Sequence, residues 1–330
     1  MQKRTFLKTC SALALNAGMV NTARSASERE LRIIVPFAPH GVSSLLAEEV
    51  CLQMRGPHFD ACVVEHIPGM TNMVATRTLL RRANDASITL MIAGPSIFTI
   101  GQHLNPFMSI KPTEDLTVLG ALMRGPMVLV TSAKSGLDTW EKLAEYSGPK
   151  KCAVSGLGSP SHVVAAYIDS SLFSLGSAYT TEGDLPGIEQ VLKGHVSCAV
   201  VSIGSCRNHM NGSLNFLLSS SQEPITWPDK QTTPSMSSVA QQRRATDFVF
   251  DNWLAIVGPK TMSTPRQDML KNLLHNVTSS PAMNKLIASL LHQPLNISPK
   301  DMMERIQNNA SRWDSYVNRL QLNQALNLDL

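Results

Sequence analysis

The stretch LRIIVPFAPHGVSS, residues 31–44, is the first clear structural signal in the chain. Its apolar run from Leu31 to Phe37 predicts a short buried strand that is ended by a proline. A loop with proline and glycine follows, and either Ser43 or Ser44 is positioned to cap a helix that begins there. A strand that leads through such a loop into a helix indicates the start of an α/β unit.

The same alternation continues along the chain. Residues 61–65 and 88–93 predict two more strands, and residues 72–82 predict the helix between them. Strands that alternate with helices in this way form a parallel sheet with helices on its faces.

A second unit follows, with apolar strands and intervening helices within residues 127–203. Residues 219–242 are polar and contain three prolines, so we expect a long loop there. Residues 251–258 return as a strand, and helical periodicity runs from Pro265 to Leu320. Two α/β units with loops at the carboxyl ends of their strands suit a ligand cleft between them.

Composition excludes several classes of protein. Of the 330 residues, 43% are apolar, and no stretch has the roughly 18 uncharged apolar residues of a membrane-spanning helix. Residues 1–25 hold four of the 29 basic residues and none of the 25 acidic ones, so the rest of the chain is close to neutral. Aromatic residues make up only 5% and do not alternate with basic ones, which argues against a nucleic-acid partner.

The first 25 residues are typical of an export signal. Lys3, Arg4 and Lys8 form a basic start, a moderately apolar stretch follows, and residues 23–25 (Ala-Arg-Ser) form a small-x-small cleavage site. The run KRTFLK also resembles a twin-arginine signal with lysine in place of the first arginine. We expect cleavage near Ser25/Ala26 and a periplasmic mature chain.

Five cysteines remain after this cleavage: Cys51, Cys62, Cys152, Cys198 and Cys206. None forms a C-x-x-C pair, and no histidines accompany them at metal-site spacing. We interpret them as small buried apolar residues and expect no disulfide, metal site or cofactor.

Several motifs occur in a fixed order along residues 30–320. They are VPFAPHGVSS at 35–44, EHIPGMTN at 65–72, GSPSH at 158–162, Tyr179 with Gly183, and WLAIVGP at 253–259. In order and spacing they are similar to the motifs of the Bug family, the extracytoplasmic substrate-binding components of tripartite tricarboxylate transporters.

This resemblance implies the two-lobed periplasmic binding protein fold, of the type II kind. Each lobe is then an α/β layer, a mainly parallel sheet flanked by helices, with the ligand cleft between the lobes. Because the C-terminal segment completes the first lobe in this fold, we expect residues 27–125 and 251–330 in lobe 1 and residues 126–250 in lobe 2.

Two loops of this fold have the geometry that holds a carboxylate. Residues 39–44 and 158–161 each lead into a helix, where unpaired backbone N–H groups and the helix dipole favour an anion. We expect His162 to pack below its loop, and we predict no catalytic residue. The predicted ligand-binding residues are Pro39, His40, Gly41, Ser43, Ser44, Ser96, Gly158, Ser159, Ser161, Tyr179 and Ser202.

Several departures from the family's pattern bear on the ligand, among them residues 70–72 (Met-Thr-Asn) in place of a run of small residues. His40 replaces a glycine, and Ser44 replaces an acidic residue that offers one means of recognising an ammonium or hydroxyl group. Val201 stands where many members carry an aspartate. The resemblance therefore leaves the identity of the ligand open.

The function that follows is capture of a small organic anion, a carboxylate in particular, by a monomer that delivers it to membrane transporter subunits. A ligand-sensing partner of a signalling receptor needs the same closing cleft, and the sequence does not separate these two functions. A serine hydrolase is disfavoured because neither Ser159 nor Ser161 lies in a G-x-S-x-G elbow. The adjacent Ser161 and His162 also diverge on a helix.

Overall fold

The computed structural model describes residues 29–308, except residues 57, 70–71, 101–108, 228–230 and 247. The predicted export signal and the end of the last predicted helix lie outside the described residues. The strands are β1 (Glu30–Val35), β2 (Ala61–His66), β3 (Ile88–Ala93), β4 (Leu116–Ser132), β5 (Lys151–Val154), β6 (Ser177–Thr180), β7 (Cys198–Ser202), β8 (Leu214–Ser219), β9 (Ile225–Thr226), β10 (Thr232–Thr233), β11 (Asp251–Pro259) and β12 (Gln293–Pro294). The helices are α1 (Val42–Met54), α2 (Met73–Arg81), α3 (Pro112–Asp115), α4 (Trp140–Glu145), α5 (Pro160–Tyr167), α6 (Asp184–Leu192), α7 (Met236–Gln242), α8 (Thr264–Thr278) and α9 (Pro281–Ser289), and residues 299–308 are helical as well.

One half of the structure is a sheet with helices packed on both faces through their apolar residues. β1 pairs in parallel with β2 and β3, and β11 pairs antiparallel with both β3 and β4. Consecutive side chains of β3 alternate between two cores: Leu90 packs with α1, α8 and α9, and Met91 packs with α2. This buried alternation explains why the strand reads as an unbroken apolar run in the sequence.

The other half has the same layered design. β5 pairs in parallel with β6 and β7, while β7 and β8 pair antiparallel with β4. Its two cores again lie on opposite faces of the sheet, so that Val200 packs in one and Val201 in the other.

The long strand β4 joins the two halves. Its 17 residues pair with β11 as far as Pro126 and with β7 and β8 from Met127 onward. The result is a curled, mixed sheet in an α/β, two-lobed fold. The antiparallel pairs lie where the chain crosses between the halves, and the parallel pairs lie further out.

The expected long loop at residues 219–242 is wrong in part, because β9, β10 and α7 lie within it. Ser235 starts α7 by accepting a hydrogen bond from the backbone N–H of Ser238 at 3.1 Å. The Trp227 indole donates to Thr233 Oγ1 at 2.8 Å and so ties the end of β9 to β10. Local polar contacts of this kind supply structure that hydrophobic periodicity does not reveal.

The expectation that no cysteine forms a disulfide is also wrong. Cys51 and Cys62 are disulfide-bonded, with their Cα atoms 5.2 Å apart. The packing of α1 against β2 brings together two residues that no local motif connects. Cys152, Cys198 and Cys206 are free and buried, as expected.

Within the part of the chain that the structure describes, no helix combines the length and apolar character needed to cross a membrane.

Candidate functional site

A cavity of about 100 Å³ lies between the two halves of the sheet that β4 joins. The half that contains β1, β3 and β11 lines it with residues 37–39 and 41–43, the turn 94–96, and Met123, Asn252 and Leu254. The half that contains β5, β6 and β7 lines it with Met127, Ser155, the start of α5, residues 182–186 at the start of α6, and Ser202 and Ser205. Among the described residues that line it there is no lysine or arginine, so an anion bound here is held by neutral donors.

Three helices begin at this cavity. α1 follows Gly41, α5 follows Ser159 and α6 follows Gly183, and all three of these cap residues line the cavity. The first backbone N–H groups of a helix have no acceptor within the helix, and the helix dipole makes this end positive. The three helix N-termini therefore favour a negative charge in the cavity, while the carboxyl groups of Glu182 and Asp184 also line it.

Most of the residues predicted to bind ligand do line this cavity. They are Pro39, Gly41, Ser43, Ser96, Ser159, Ser161 and Ser202. The structure thus brings together residues from four separate segments of the sequence.

The other predicted residues lie outside the cavity lining. His40 is exposed and has a left-handed backbone conformation, with φ of 69°, which favours the glycine found in the related motif. Ser44 is fully buried, and its hydroxyl lies 2.9 Å from His66 Nε2. The Gly158 N–H donates to His162 Nδ1 at 3.1 Å, and Tyr179 is 40% exposed on β6.

Neither Ser43 nor Ser44 caps α1, contrary to the sequence prediction. The cap residue is Gly41, and it makes no side-chain capping hydrogen bond. Ser43 and Ser96 instead carry two unpaired hydroxyls at the cavity: they are 8% and 3% exposed, and within the described residues neither hydroxyl has a hydrogen-bond partner. Unpaired donors this well buried are suited to a ligand oxygen.

The second-lobe serines form a connected network. Ser159 Oγ accepts a hydrogen bond from the His162 backbone N–H at 3.2 Å and lies 2.8 Å from Ser161 Oγ. Ser161 Oγ accepts from the Ser155 N–H at 2.8 Å and lies 3.2 Å from Ser155 Oγ. Ser155 Oγ in turn donates to Asp184 Oδ1.

Asp184 is a charged cavity residue that sequence reasoning missed, as it missed its hydrogen-bond partners Ser155 and Ser205. Its Oδ2 accepts hydrogen bonds of 2.9 Å each from the Ser202 backbone N–H and the Ser205 hydroxyl. Burial raises the pKa of Asp184, while the hydrogen bonds from Ser155, Ser202 and Ser205 act in the opposite direction. Its place directly after Gly183, in a segment that resembled a family motif, was the one signal that pointed to it.

Two buried histidines support the walls of the cavity. His162 packs beneath the GSPSH loop, as predicted, and burial lowers its pKa to about 4. His292 lies with Nδ1 2.6 Å from the Leu290 carbonyl oxygen and Nε2 3.0 Å from Ser202 Oγ. Because a carbonyl only accepts, Nδ1 carries the proton and Nε2 accepts from the Ser202 hydroxyl. Burial lowers the pKa of His292 to about 4 as well.

Known proteins share this architecture. The chain is 23% identical to protein BugT of Bordetella pertussis over 295 residues, which cover 88% of each protein. Among solved structures it is similar to R. palustris Rpa4515 with adipate, at a TM-score of 0.78 and 18% identity over 89% of this chain and 97% of that one. It is also similar to MatC of Rhodopseudomonas palustris with bound malate, at a TM-score of 0.75 and 18% identity over 88% of this chain and 99% of that one.

These structural matches are too distant in sequence to show more than the shared fold. The family model described as "Tripartite tricarboxylate transporter family receptor" matches residues 47–322, which is most of the chain. The family and the fold are those of solute-binding proteins. The chain therefore belongs to the tripartite tricarboxylate transporter receptor family.

Proposed function

We propose that this chain is an exported, periplasmic receptor that captures a small organic anion and delivers it to the membrane subunits of a tripartite transporter. The anion binds through a carboxylate in the cavity between the lobes. The observation that carries this proposal is the N-terminus of α1, which lies at a cavity with no lysine or arginine among its described lining residues.

The first lobe supplies the carboxylate site. The backbone N–H groups at the start of α1 and the unpaired hydroxyls of Ser43 and Ser96 all lie at the cavity. Neutral donors of this kind hold a carboxylate through charge-assisted hydrogen bonds, which are stronger than neutral ones. Adipate and malate, the molecules solved with two of the similar structures, are both carboxylates.

The chemistry of the serines supports binding without catalysis. Ser159 and Ser161 have hydrogen bonds to each other and to backbone groups, and the neighbouring His162 accepts from the Gly158 N–H. Ser202 does contact His292, but a histidine with a pKa of about 4 is a weak general base at neutral pH. We propose a non-catalytic monomer that needs no cofactor.

A thermal-shift screen tests the proposal. The mature chain from Ala26 is unfolded, dialysed and refolded to remove bound molecules, then heated with mono-, di- and tricarboxylic acids and with their amides as controls. A ligand that binds the folded state raises the melting temperature by mass action. We expect stabilisation by at least one acid and none by its amide. Equal behaviour of every acid and amide would contradict carboxylate binding.

Export is tested separately by fractionating cells and sequencing the N-terminus of the protein. We expect a periplasmic chain that begins near Ala26. A chain with an intact Met1 that remains in the cytoplasm would contradict this part of the proposal.

A further inference from the structure

The hydroxyl protons of the second-lobe serines are all used within the protein. A hydroxyl has one proton, and Ser155 donates its proton to Asp184 Oδ1. Ser161, whose Oγ is 3.2 Å from Ser155 Oγ, therefore donates to Ser155. By the same reasoning Ser159, 2.8 Å from Ser161 Oγ, donates to Ser161. The chain of hydroxyls points its protons toward a carboxylate of the protein and away from a ligand.

The two serines at the end of β7 follow the same pattern. Ser205 donates to Asp184 Oδ2 at 2.9 Å, and Ser202 donates to His292 Nε2 at 3.0 Å. What the side chains of this wall still offer a ligand is oxygen lone pairs, including one on Asp184 Oδ1, which accepts a single hydrogen bond among the described residues. The second-lobe side chains of the cavity are thus acceptors.

The first-lobe wall has the opposite character. The hydroxyl protons of Ser43 and Ser96 are still free to be donated, and the backbone N–H groups at the start of α1 only donate. A ligand that satisfies both walls needs an anionic, accepting end and a separate donating end.

The charges that line the cavity indicate which chemical group forms the donating end of the ligand. The acidic residues Asp184 and Glu182 line the second-lobe side, and no lysine or arginine among the described residues lines the cavity to balance them. A second carboxylate of the ligand placed here would repel Asp184. An ammonium group would neutralise Asp184 and supply three hydrogen-bond donors to the free lone pairs.

We propose that the second-lobe wall is an ammonium subsite in which Asp184 is the specificity-determining counter-ion, so that the preferred ligand is a small amino acid. The proposal rests on the carboxylate-binding function proposed above and names its substrate class. It also accounts for Ser44: the acidic residue that the related motif carries at that position is absent, and Asp184 supplies a carboxylate elsewhere in the cleft. Burial raises the pKa of Asp184, and a bound ammonium opposes this by stabilising the ionised carboxylate.

Matched pairs of compounds test the proposal on the refolded mature chain. L-aspartate is compared with succinate, and L-alanine with propionate, because each pair differs only in the α-ammonium group. Dissociation constants are measured by isothermal titration calorimetry. If the ammonium group forms a charge-assisted hydrogen bond, the amino acid should have a dissociation constant at least about tenfold lower than that of its matched acid.

Asp184→Asn removes the charge and keeps the shape of the side chain. We expect this variant to lose the preference for the amino acid over its matched acid. Glu189→Gln is the matched control, because Glu189 is an exposed carboxylate on the same helix α6, and it should keep the preference. Melting curves without ligand establish that both variants fold.

The pH dependence of wild-type binding gives a test that needs no variant. Protonation of Asp184 removes the counter-ion, and burial raises the pKa of Asp184, so L-aspartate or L-alanine should bind more weakly as the pH falls through that raised pKa. A plain carboxylate would show the opposite trend, because protonation removes a repulsive charge. Among the described residues, Glu182, Cys206, His162 and His292 are titratable groups at or behind the cavity walls. Burial raises the pKa of Cys206 and lowers that of both histidines to about 4, so these three are neutral at and moderately below neutral pH, and the variant Glu182→Gln separates the contribution of the other carboxyl group.

The outcomes of these experiments distinguish failure of the ammonium subsite from failure of the proposed carboxylate-binding function. Tighter binding of succinate or propionate than of the matched amino acid, with stronger binding still in Asp184→Asn, would overturn the ammonium subsite and leave carboxylate binding intact. If no acid or amino acid binds at all, the proposed function fails and the subsite fails with it.

Discussion

Gly125 lies so close to the imidazole of His292 that a Cβ atom added to Gly125 would be 2.4 Å from the ring's Cδ2. Gly204 approaches the ring from another side, where a Cβ would lie 2.5 Å from Cε1. We propose that the lobes divide as expected from the resemblance, at residues 125–126 and 250–251. Under this division the Ser202–His292 hydrogen bond joins the two lobes, and the two glycines make room for it.

Gly125→Ala should therefore destabilise the protein by overpacking. Inserting a methyl group into a filled space costs roughly 1–3 kcal/mol of unfolding free energy. The nearest atoms to this methyl all belong to His292, so the added cost of Gly125→Ala should shrink in a His292→Ala background. Urea unfolding of the two single variants and the double variant measures this coupling.

Gly187→Ala is the control for this prediction. A Cβ there would meet nothing closer than Thr181 Oγ1 at 3.4 Å, and the residue lies inside α6, where alanine is favoured over glycine. We expect no loss of stability. Purely additive effects of Gly125→Ala and His292→Ala would show that the ring does not fill this space in solution.

The buried histidines should make stability depend on pH. His162 and His292 have a folded-state pKa of about 4 against an ordinary value of 6.5, because burial disfavours the charged ring. The unfolded chain then binds more protons than the folded one between these values. Stability is fully present above pH 6.5 and is lost as pH falls toward 4, by up to roughly 3 kcal/mol for each histidine. Asp184, whose pKa is raised, acts in the opposite sense and offsets part of this loss.

Urea unfolding at several pH values between about 7 and about 5 checks this dependence. His292→Gln should flatten the slope of unfolding free energy against pH, whatever it does to the absolute stability. His58→Gln, a change at an exposed histidine, serves as the control. An unchanged slope in His292→Gln would mean that this histidine is already protonated or solvated when folded.

The architecture could be predicted because it is recorded in local patterns. The apolar runs of β1 and β3 are buried on both faces, and such runs stand out in a sequence.

Ser43 and Ser44 show what local patterns do not predict. Both are serines at the start of the same helix, but successive helical residues point in directions about 100° apart. Ser43 therefore reaches the cavity, whereas Ser44 turns inward to His66.

Asp184 could not be predicted for a related reason. An aspartate in the first turn of a helix is ordinarily interpreted as a charge that complements the helix dipole. Its partners Ser155, Ser202 and Ser205 come from other segments, and only the tertiary structure brings them to its carboxylate. Polar networks between distant segments leave no periodic signal.

The Cys51–Cys62 disulfide should be a measurable source of stability. The sequence separation of 11 residues predicts that the crosslink contributes about 3 kcal/mol through the smaller entropy of the unfolded chain. The double variant Cys51→Ala/Cys62→Ala should lose about this much in urea unfolding. A thiol assay on the unfolded mature chain should detect Cys152, Cys198 and Cys206 alone, and all five cysteines only after reduction. Detection of five thiols without reduction would show that the bond does not form.

Val42→Pro tests the carboxylate site at the start of α1. Val42 is the first helical residue after the cap Gly41, a position where proline fits a helix without breaking it. The substitution removes one backbone N–H donor, which every amino acid other than proline retains. Val42→Ala is the matched control, since it shortens the same side chain and keeps the N–H.

If this donor binds the ligand's carboxylate, Val42→Pro should weaken binding of the most stabilising acid by about 10- to 150-fold relative to Val42→Ala. Both variants should unfold at similar urea concentrations, because the first N–H groups of a helix have no partner within the helix. Equal affinity in the two variants would show that the ligand's carboxylate lies elsewhere in the cavity, at the start of α5 or α6.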